Sequence, residues 1–366
     1  AGTELEKLVV KWLGDLIDYD SDARGILTSG GSMANLIALL VASRKKAGSQ
    51  TARTGLWNSG APLTIYASSE VHMSIAKAAD ILGLGRDQVR MVGCDSRLRI
   101  DVELLRALVR SDLEKGLRPC CVVASAGTVN TGVVDPLAAV ALVAREFDLW
   151  FHVDGAYGAP GTLDDRKKDL FDGLSQADSV SLDPHKWLYV PVDAGCLLFR
   201  DDATVKATFS TDEADYIKVH GLADDETFAF WDYGIELSRR FRALRIWLTL
   251  QYFGSRRIAV AISGDISLAA YLGALVEEAD DFELLAPVEL SICCFRYVRD
   301  GKSEGELDRL NESILALVQK GGHAYVSNAT INGHFALRAC ITNFRTTKSD
   351  IEQTLKVIRE AASKVT

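Results

Sequence analysis

Cys120-Cys-Val-Val-Ala-Ser-Ala126 and Trp150-Phe-His-Val153 are the two runs on which the fold turns. Each is short and mostly apolar, rich in β-branched or aromatic residues. Neither shows the polar alternation of a strand with one wet face, so each reads as a strand buried on both faces. Working outward, residues 63–67, Val89–Val92, Ser179–Leu182 and Gly195–Phe199 read the same way, with helical segments between them. That alternation predicts an α/β fold, a mostly parallel sheet covered by helices on both faces. In such sheets ligands sit at the carboxyl ends of strands, which directs attention to the residues just after each run.

At 366 residues the chain exceeds what one core usually organises. The expected division is a large domain over residues 1–253 and a small α+β domain over residues 254–366. The composition, 48% hydrophobic and 25% charged, carries no low-complexity bias, so the chain is expected to fold throughout. The 41 Lys and Arg against 50 Asp and Glu give a net charge of −9 without a dominant basic block. This argues against nucleic acid and for a small-molecule ligand. No run approaches the ~20 apolar residues of a membrane span. Residues 1–16 carry charges where a leader would need an apolar stretch, so no membrane association and a cytoplasmic location are expected. The seven cysteines form no CxxC pair and are expected to be reduced core residues, with no metal site.

Residues 1–18 predict an amphipathic helix, with Leu5, Leu8, Val9, Trp12, Leu13 and Leu16 at helical spacing. Gly25-Ile-Leu-Thr-Ser-Gly-Gly-Ser32 reads as a glycine-containing turn opening a helix over 33–43. Residues 204–232 are acidic, polar and aperiodic, and predict an exposed loop, followed by a helix over 238–253. Beyond Gly254 the pattern predicts a helix, a strand near 289–298, a helix near 304–319, strands near 323–327 and 334–340, and a last helix from Ser349.

The strand ends carry Gly127-Thr128, Asp154-Gly155-Ala156-Tyr157, Asp183-Pro184-His185-Lys186-Trp187 and Ser68-Ser69-Glu70-Val71-His72. A lysine beside a buried carboxylate could be only a structural ion pair. The loop at Gly30, Gly31 and Ser32 adds a second signal, because backbone N–H groups at a helix start, with a serine hydroxyl, suit a phosphate. Phosphate loop, buried Asp154 and strand-end Lys186 together meet the needs of pyridoxal 5′-phosphate (PLP). A lysine of ordinary pKa ~10.4 loses its proton more readily in a desolvated pocket, which imine formation requires. A carboxylate at ~4 Å with an effective dielectric of ~20 stabilises the protonated ring nitrogen by ~4 kcal/mol before desolvation.

Four stretches carry a resemblance: Ser181-Leu-Asp-Pro-His-Lys-Trp187, Phe151-His-Val-Asp-Gly-Ala-Tyr157, Thr28-Ser-Gly-Gly-Ser-Met-Ala-Asn35 and Leu237-Ser-Arg-Arg-Phe-Arg-Ala-Leu244. In these, and over nearly its whole length, the chain resembles the PLP-dependent group II amino-acid decarboxylases on the fold-type-I scaffold. That group includes the aromatic-L-amino-acid, glutamate and cysteine sulfinate decarboxylases. The resemblance implies decarboxylation of an aromatic or similar L-amino acid to the amine, with PLP held as an imine on Lys186. It implies Asp154 as partner of the ring nitrogen, Ala156 under the ring and His72 stacked on its other face. Gly31 and Ser32 would contact the phosphate, Thr128 the ring substituents, and His185 the phosphate or substrate. Arg338 would take the substrate carboxylate, although a structural ion pair is an equal reading. A homodimer is also implied.

Three departures from the family pattern stand out. Asp183 occupies a position where many relatives have Asn, which would shift a phosphate contact to Ser181 or His185. The chain is expected to lack the N-terminal segment of its relatives. Phe230 stands near a tyrosine thought to return a proton, with Tyr216 and Tyr233 as alternatives. A phenylalanine there would accompany oxidative conversion to an aldehyde, the main rival reading, with an aminotransferase and a PLP-binding protein without turnover behind it.

Overall fold

The computed structural model describes every residue except 21, 49, 57–59, 211–227 and 366. Seven strands form the large sheet in the order β1-β7-β6-β5-β4-β2-β3. They are β1 (Arg24–Thr28), β2 (Leu63–Ser68), β3 (Val89–Val92), β4 (Arg118–Ser125), β5 (Trp150–Asp154), β6 (Ser179–Leu182) and β7 (Gly195–Phe199). Strands β3, β2, β4, β5 and β6 pair in parallel, whereas β7 runs antiparallel to both β6 and β1. The apolar runs have the cause expected of them. Along β4, Val122 and Ala124 enter the core on one side of the sheet while Cys121 and Val123 enter the core on the other. Both faces are covered, so neither set can be polar without a partner.

Strand β1 was not expected. The glycines and serines around it read as a turn, yet Gly25, Ile26 and Leu27 are buried and pair with Leu198, Leu197 and Cys196. Its last residue leads into α2 (Gly31–Ala47), so the glycine turn is the link between strand and helix. Helix α1 (Gly2–Leu16) buries Val9, Val10 and Leu13. The single-turn α3 (Thr51–Thr54) and helices α4 (Ser74–Ile81), α5 (Val102–Glu114) and α6 (Leu137–Glu146) complete the cover before residue 150.

The stretch expected as an exposed loop over 204–232 begins instead as helix α7 (Asp202–Phe209), capped by Asp201, whose side chain accepts from the Thr204 N–H. Residues 230–233 form a 3₁₀ turn. Tyr216 lies outside the described residues. The helix expected from 238 starts at Arg242, because the preceding residues spend their side chains on buried pairing: Arg239 with Glu6, and Arg242 with Asp193 and Glu236. This helix, α8 (Arg242–Glu277), is broken at Gly254, where φ is 73°. Among the described residues it alone is long and apolar enough to cross a membrane by composition. Its Asp265, however, is buried and hydrogen-bonded to Trp187 and Tyr189, which makes it a core helix.

A second sheet of four antiparallel strands has the order β10-β11-β9-β8. Its strands are β8 (Phe282–Leu284), β9 (Ile292–Tyr297), β10 (Ser327–Ile331) and β11 (His334–Cys340), with α9 (Glu304–Gly321) and α10 (Lys348–Ala362) packed on it. The strand expected near 323–327 lies further along, at β10. Asn332 and Gly333 take positive φ of 51° and 86° and close a two-residue turn that pairs Ile331 with His334. An Asn-Gly hairpin turn thus sets the register.

Glu6 ties the first helix to the sheet. Its buried carboxylate accepts from the Leu27 N–H at 2.9 Å and from Arg239 at 2.6 Å. Glu6→Ala leaves a buried guanidinium without its counter-ion and is expected to cost on the order of 3–5 kcal/mol, read from urea unfolding midpoints. Lys11→Ala, which removes an exposed pair with Asp15, should change stability by less than about 0.5 kcal/mol.

Candidate active site at the strand ends

The carboxyl ends of β2, β4, β5 and β6 open into one cavity of about 820 Å³. It gathers Gly31, Ser32, His72, Thr128, Asp154, Ala156, His185, Lys186 and Arg338, nine of the sequence-predicted site residues. Ser181 and Phe230 are not brought to it. Ser181 is fully buried, and its hydroxyl donates to Asp154 Oδ1 at 2.9 Å, so it stands behind the carboxylate and is not free for a phosphate. Phe230 lines a separate cavity with Tyr233, and the Arg239 guanidinium lies over its ring at 4.8 Å. Tyr233 is likewise remote, hydrogen-bonded to Asp202 and stacked on Phe199.

Asp154 ends β5, where burial would raise its pKa. That effect is outweighed by His152, by the Asn35 amide, by the Lys186 ammonium and by Ser181, which together hold the carboxyl below its usual range. Its oxygens accept from Asn35 Nδ2 at 2.8 Å, from Ser181 and from the Ala156 N–H at 3.2 Å. Asn35, Ser74 and His152 were not singled out from the sequence, yet all three are buried and linked to Asp154. The signal was present: an Asn in the second turn of an apolar helix and a His inside an apolar strand must find hydrogen-bond partners.

The α2 N-terminus faces the same cavity. Intrahelical hydrogen bonding begins with the Met33 and Ala34 N–H groups, both donating to Gly30 O, which leaves the earlier N–H groups of Gly31 and Ser32 without helix partners. A Cβ at Gly31 would stand 2.8 Å from Ala156 Cβ and 3.0 Å from Asp183 Oδ2, so only glycine lets the helix start this close to the strand ends. His185 Nδ1 accepts from the Ala194 N–H at 3.0 Å, which directs Nε2 toward Asp183 at 3.7 Å.

Lys186 Nζ lies 2.9 Å from Asp183 Oδ2. The other carboxylate oxygen, Oδ1, is buried without a hydrogen-bond partner. Burial raises the Asp183 pKa, with Lys186 and His185 opposing the shift and the Asp154 charge adding to it. The lysine's own segment is pinned from below: Trp187 stacks on Tyr157 at 5.1 Å and donates to Asp265 at 2.9 Å, while Tyr157 Oη meets Ser291 Oγ at 2.5 Å. Arg338 donates to the Val129 and Asn130 carbonyls, each at 3.0 Å, and to Ser327 Oγ. Among the described residues it makes no ion pair, so the structural ion-pair alternative falls and its charge is left uncompensated. Cys340, expected in the core with the other cysteines, is exposed and lines the cavity.

The family profile described as the pyridoxal-dependent decarboxylase conserved domain matches residues 1–298. An aromatic-L-amino-acid decarboxylase of Bacillus atrophaeus is 36% identical over 367 residues, covering 100% of this chain and 74% of that protein. A phenylacetaldehyde synthase of a Rosa hybrid cultivar is 30% identical over 380 residues, covering 100% of this chain and 74% of that protein. The crystal structure of Oryza sativa TDC with PLP and tryptamine superposes with a TM-score of 0.91 at 27% identity, covering 100% of this chain and 76% of that one.

Asp183 beside an anion cradle gives a testable pH effect. Protonated, it carries no charge to repel a phosphate; as pH rises through its raised pKa, the carboxylate opposes a bound anion. Asp183→Asn removes that opposition, so PLP should bind the variant more tightly than the parent. The ratio of dissociation constants should grow as pH rises through the raised Asp183 pKa in equilibrium titrations. A ratio that does not change with pH would exclude this role.

Proposed function

We propose, for a chain that belongs to the pyridoxal-dependent decarboxylase family, that its substrate is an aromatic L-amino acid and that Lys186, Asp154 and His72 carry the chemistry. The chain is a PLP-dependent amino-acid decarboxylase, and its reaction converts an amino acid to the amine and carbon dioxide. Bound PLP supplies a carbonyl that captures the amine and a ring that accepts the electron pair left behind. The aromatic substrate rests on the names of the relatives.

The observation that carries the residue assignment is the buried, ionised Asp154 in the same cavity as the Lys186 amine. A carboxylate held in its charged form there stabilises a proton on a heterocyclic nitrogen, as an electron-accepting ring needs. Lys186 supplies the amine on which the cofactor would be held, with Asp183 as the base nearest its Nζ. The phosphate would take the free N–H groups of Gly31 and Ser32, with Nε2 of His185 beside them. The close approach at Gly31 and the unpartnered Asp183 Oδ1 fit a group that completes this cradle. Ala156 and His72 would hold opposite ring faces and Thr128 an edge. Arg338, its donors already shared with backbone carbonyls, would engage the substrate carboxylate loosely, which avoids stabilising the ground state.

Three further readings travel with this one. A homodimer is favoured by the exposed apolar side chains of Leu237, Phe241, Leu248 and Tyr252, the last 77% exposed, just before and along the first turns of α8. The division into a large domain over residues 1–253 and a small one over 254–366 is favoured by the break in α8 at Gly254. A cytoplasmic location is favoured by seven cysteines that are all free. A second chemistry, oxidative conversion to the aldehyde with consumption of oxygen and release of carbon dioxide, ammonia and peroxide, is favoured only by the aldehyde synthase among the relatives, since Phe230 lies outside the cavity.

Incubation with PLP and an amino-acid panel should release carbon dioxide and an aromatic amine in equal amounts; aldehyde with peroxide would favour the oxidative chemistry instead. Lys186→Ala should abolish the imine trapped by borohydride. Asp154→Asn should lower kcat on the order of a thousandfold while leaving the fold intact by circular dichroism. Sedimentation equilibrium should give twice the chain's mass, and a fully active monomer would sink the dimer.

A further inference from the structure

We infer that Asn35 is a positioning residue that couples the charge on Asp154 to the position of the proton on His72. The inference rests on the reading above only in taking those two groups as the ones that face the cofactor. The coupling itself stands on hydrogen-bond geometry among buried side chains.

Asn35 is buried, and its amide makes three hydrogen bonds, with both Nδ2 hydrogens and Oδ1 engaged. One Nδ2 hydrogen goes to Asp154 Oδ2 at 2.8 Å, the other to Ser74 Oγ at 2.9 Å, and Oδ1 faces His152 Nε2 at 3.0 Å. The opposite orientation of the amide would set its oxygen against a carboxylate oxygen, so ionised Asp154 permits only one. That orientation dictates both neighbours. His152 then carries a proton on Nε2, while its Nδ1 lies 2.8 Å from Ser179 Oγ, a hydroxyl that itself accepts from Trp150 Nε1 at 2.8 Å, and 3.2 Å from the Ser179 carbonyl. Burial lowers the His152 pKa to about 4 against the opposing pull of Asp154, which keeps that ring neutral near pH 7.

On the other side, Ser74 Oγ accepts from Asn35 and lies 2.7 Å from His72 Nδ1, to which its own hydrogen can then be given. The Ser74 N–H points at the same nitrogen at 3.2 Å. With two donors aimed at Nδ1, the neutral His72 ring carries its proton on Nε2. The titratable and charged groups facing this network are Asp154, His152, Lys186 and Asp183, and the Asn35 amide lies between the first two and Ser74. A group bound in the cavity would therefore meet a carboxylate and a histidine N–H whose states are not independent.

The experiment is ¹⁵N NMR of the full chain labelled at histidine, with and without PLP, the His72 signals assigned by their loss in His72→Gln. The expected spectrum near neutral pH shows His72 with Nδ1 unprotonated and Nε2 protonated. Ser74→Ala should release that tautomer while leaving PLP affinity within about threefold, because the Asn35 to Asp154 bond survives. Asn35→Ala leaves the Ser74 N–H on Nδ1 but frees the Ser74 hydroxyl to turn away, so it should loosen the tautomer preference and also weaken PLP about tenfold or more, the usual scale for losing a hydrogen bond to a buried charge. A His72 ring protonated on Nδ1 in the parent protein overturns the inference, as does an Asn35→Ala variant that keeps both the tautomer and the affinity. Should Asn35→Ala fail to fold, the parent spectrum and Ser74→Ala still decide. A panel that yields no carbon dioxide would defeat the proposed function yet leave the tautomer result standing.

Discussion

One negative charge, buried at the end of the central strand β5, organises the surroundings of this site. Removing a carboxylate from water costs several kcal/mol unless donors replace the lost hydration. Asp154 collects its donors from different elements: Asn35 from α2, Ser181 from β6 and the Ala156 N–H from the turn beyond its own strand. Each contact therefore sets a registration. The first glycine helix is fixed relative to the sheet, β6 relative to β5, and the Gly155-Ala156 turn relative to both. The polar side chains within this apolar core are present for the same reason: His152, Ser179 and Trp150 complete a chain of donors and acceptors whose direction the carboxylate sets.

The second organising feature is how the two sheets share one rim. Lys186 follows β6, but its segment is held by residues from beyond the break in α8: Asp265 takes Trp187 and Tyr189, and Ser291 takes Tyr157. Strand β11 carries Arg338 and Cys340 to the same cavity. Glu289 adds a further tie, since Arg97 and Arg99 from the turn between β3 and α5 both pair with it and the Val134 N–H donates to it. Packing between the sheets thus sets where the Arg338 guanidinium stands relative to the Lys186 amine. Neither sheet could do this alone.

Local chemistry was legible wherever it was written in consecutive residues. The strands over 120–126 and 150–153, the Gly-Gly-Ser helix start and the Asp-Pro-His-Lys-Trp segment each follow from burial on both faces, from helix termini or from the needs of an imine. The misreadings share one cause. Arg24–Thr28 is a strand only because β7 is there to pair with it, and β10 falls where the Asn332-Gly333 turn folds it back onto β11. Pairing partners distant in sequence, or a turn that sets register, outweighed local propensity in both places.

The sequence by itself determined the architecture and the inventory of reactive groups, because hydrophobic period and strand-end residue types are local properties. It could not decide what each group would touch. Ser181 turned out to serve Asp154 and not a phosphate, Arg338 was found to donate to two backbone carbonyls, and Asn35 proved to join two groups more than thirty residues away along the chain in either case. Hydrogen-bond satisfaction in a buried site is a property of the assembled neighbourhood. Only the tertiary structure brings the donors and acceptors within the ~3 Å over which they choose partners.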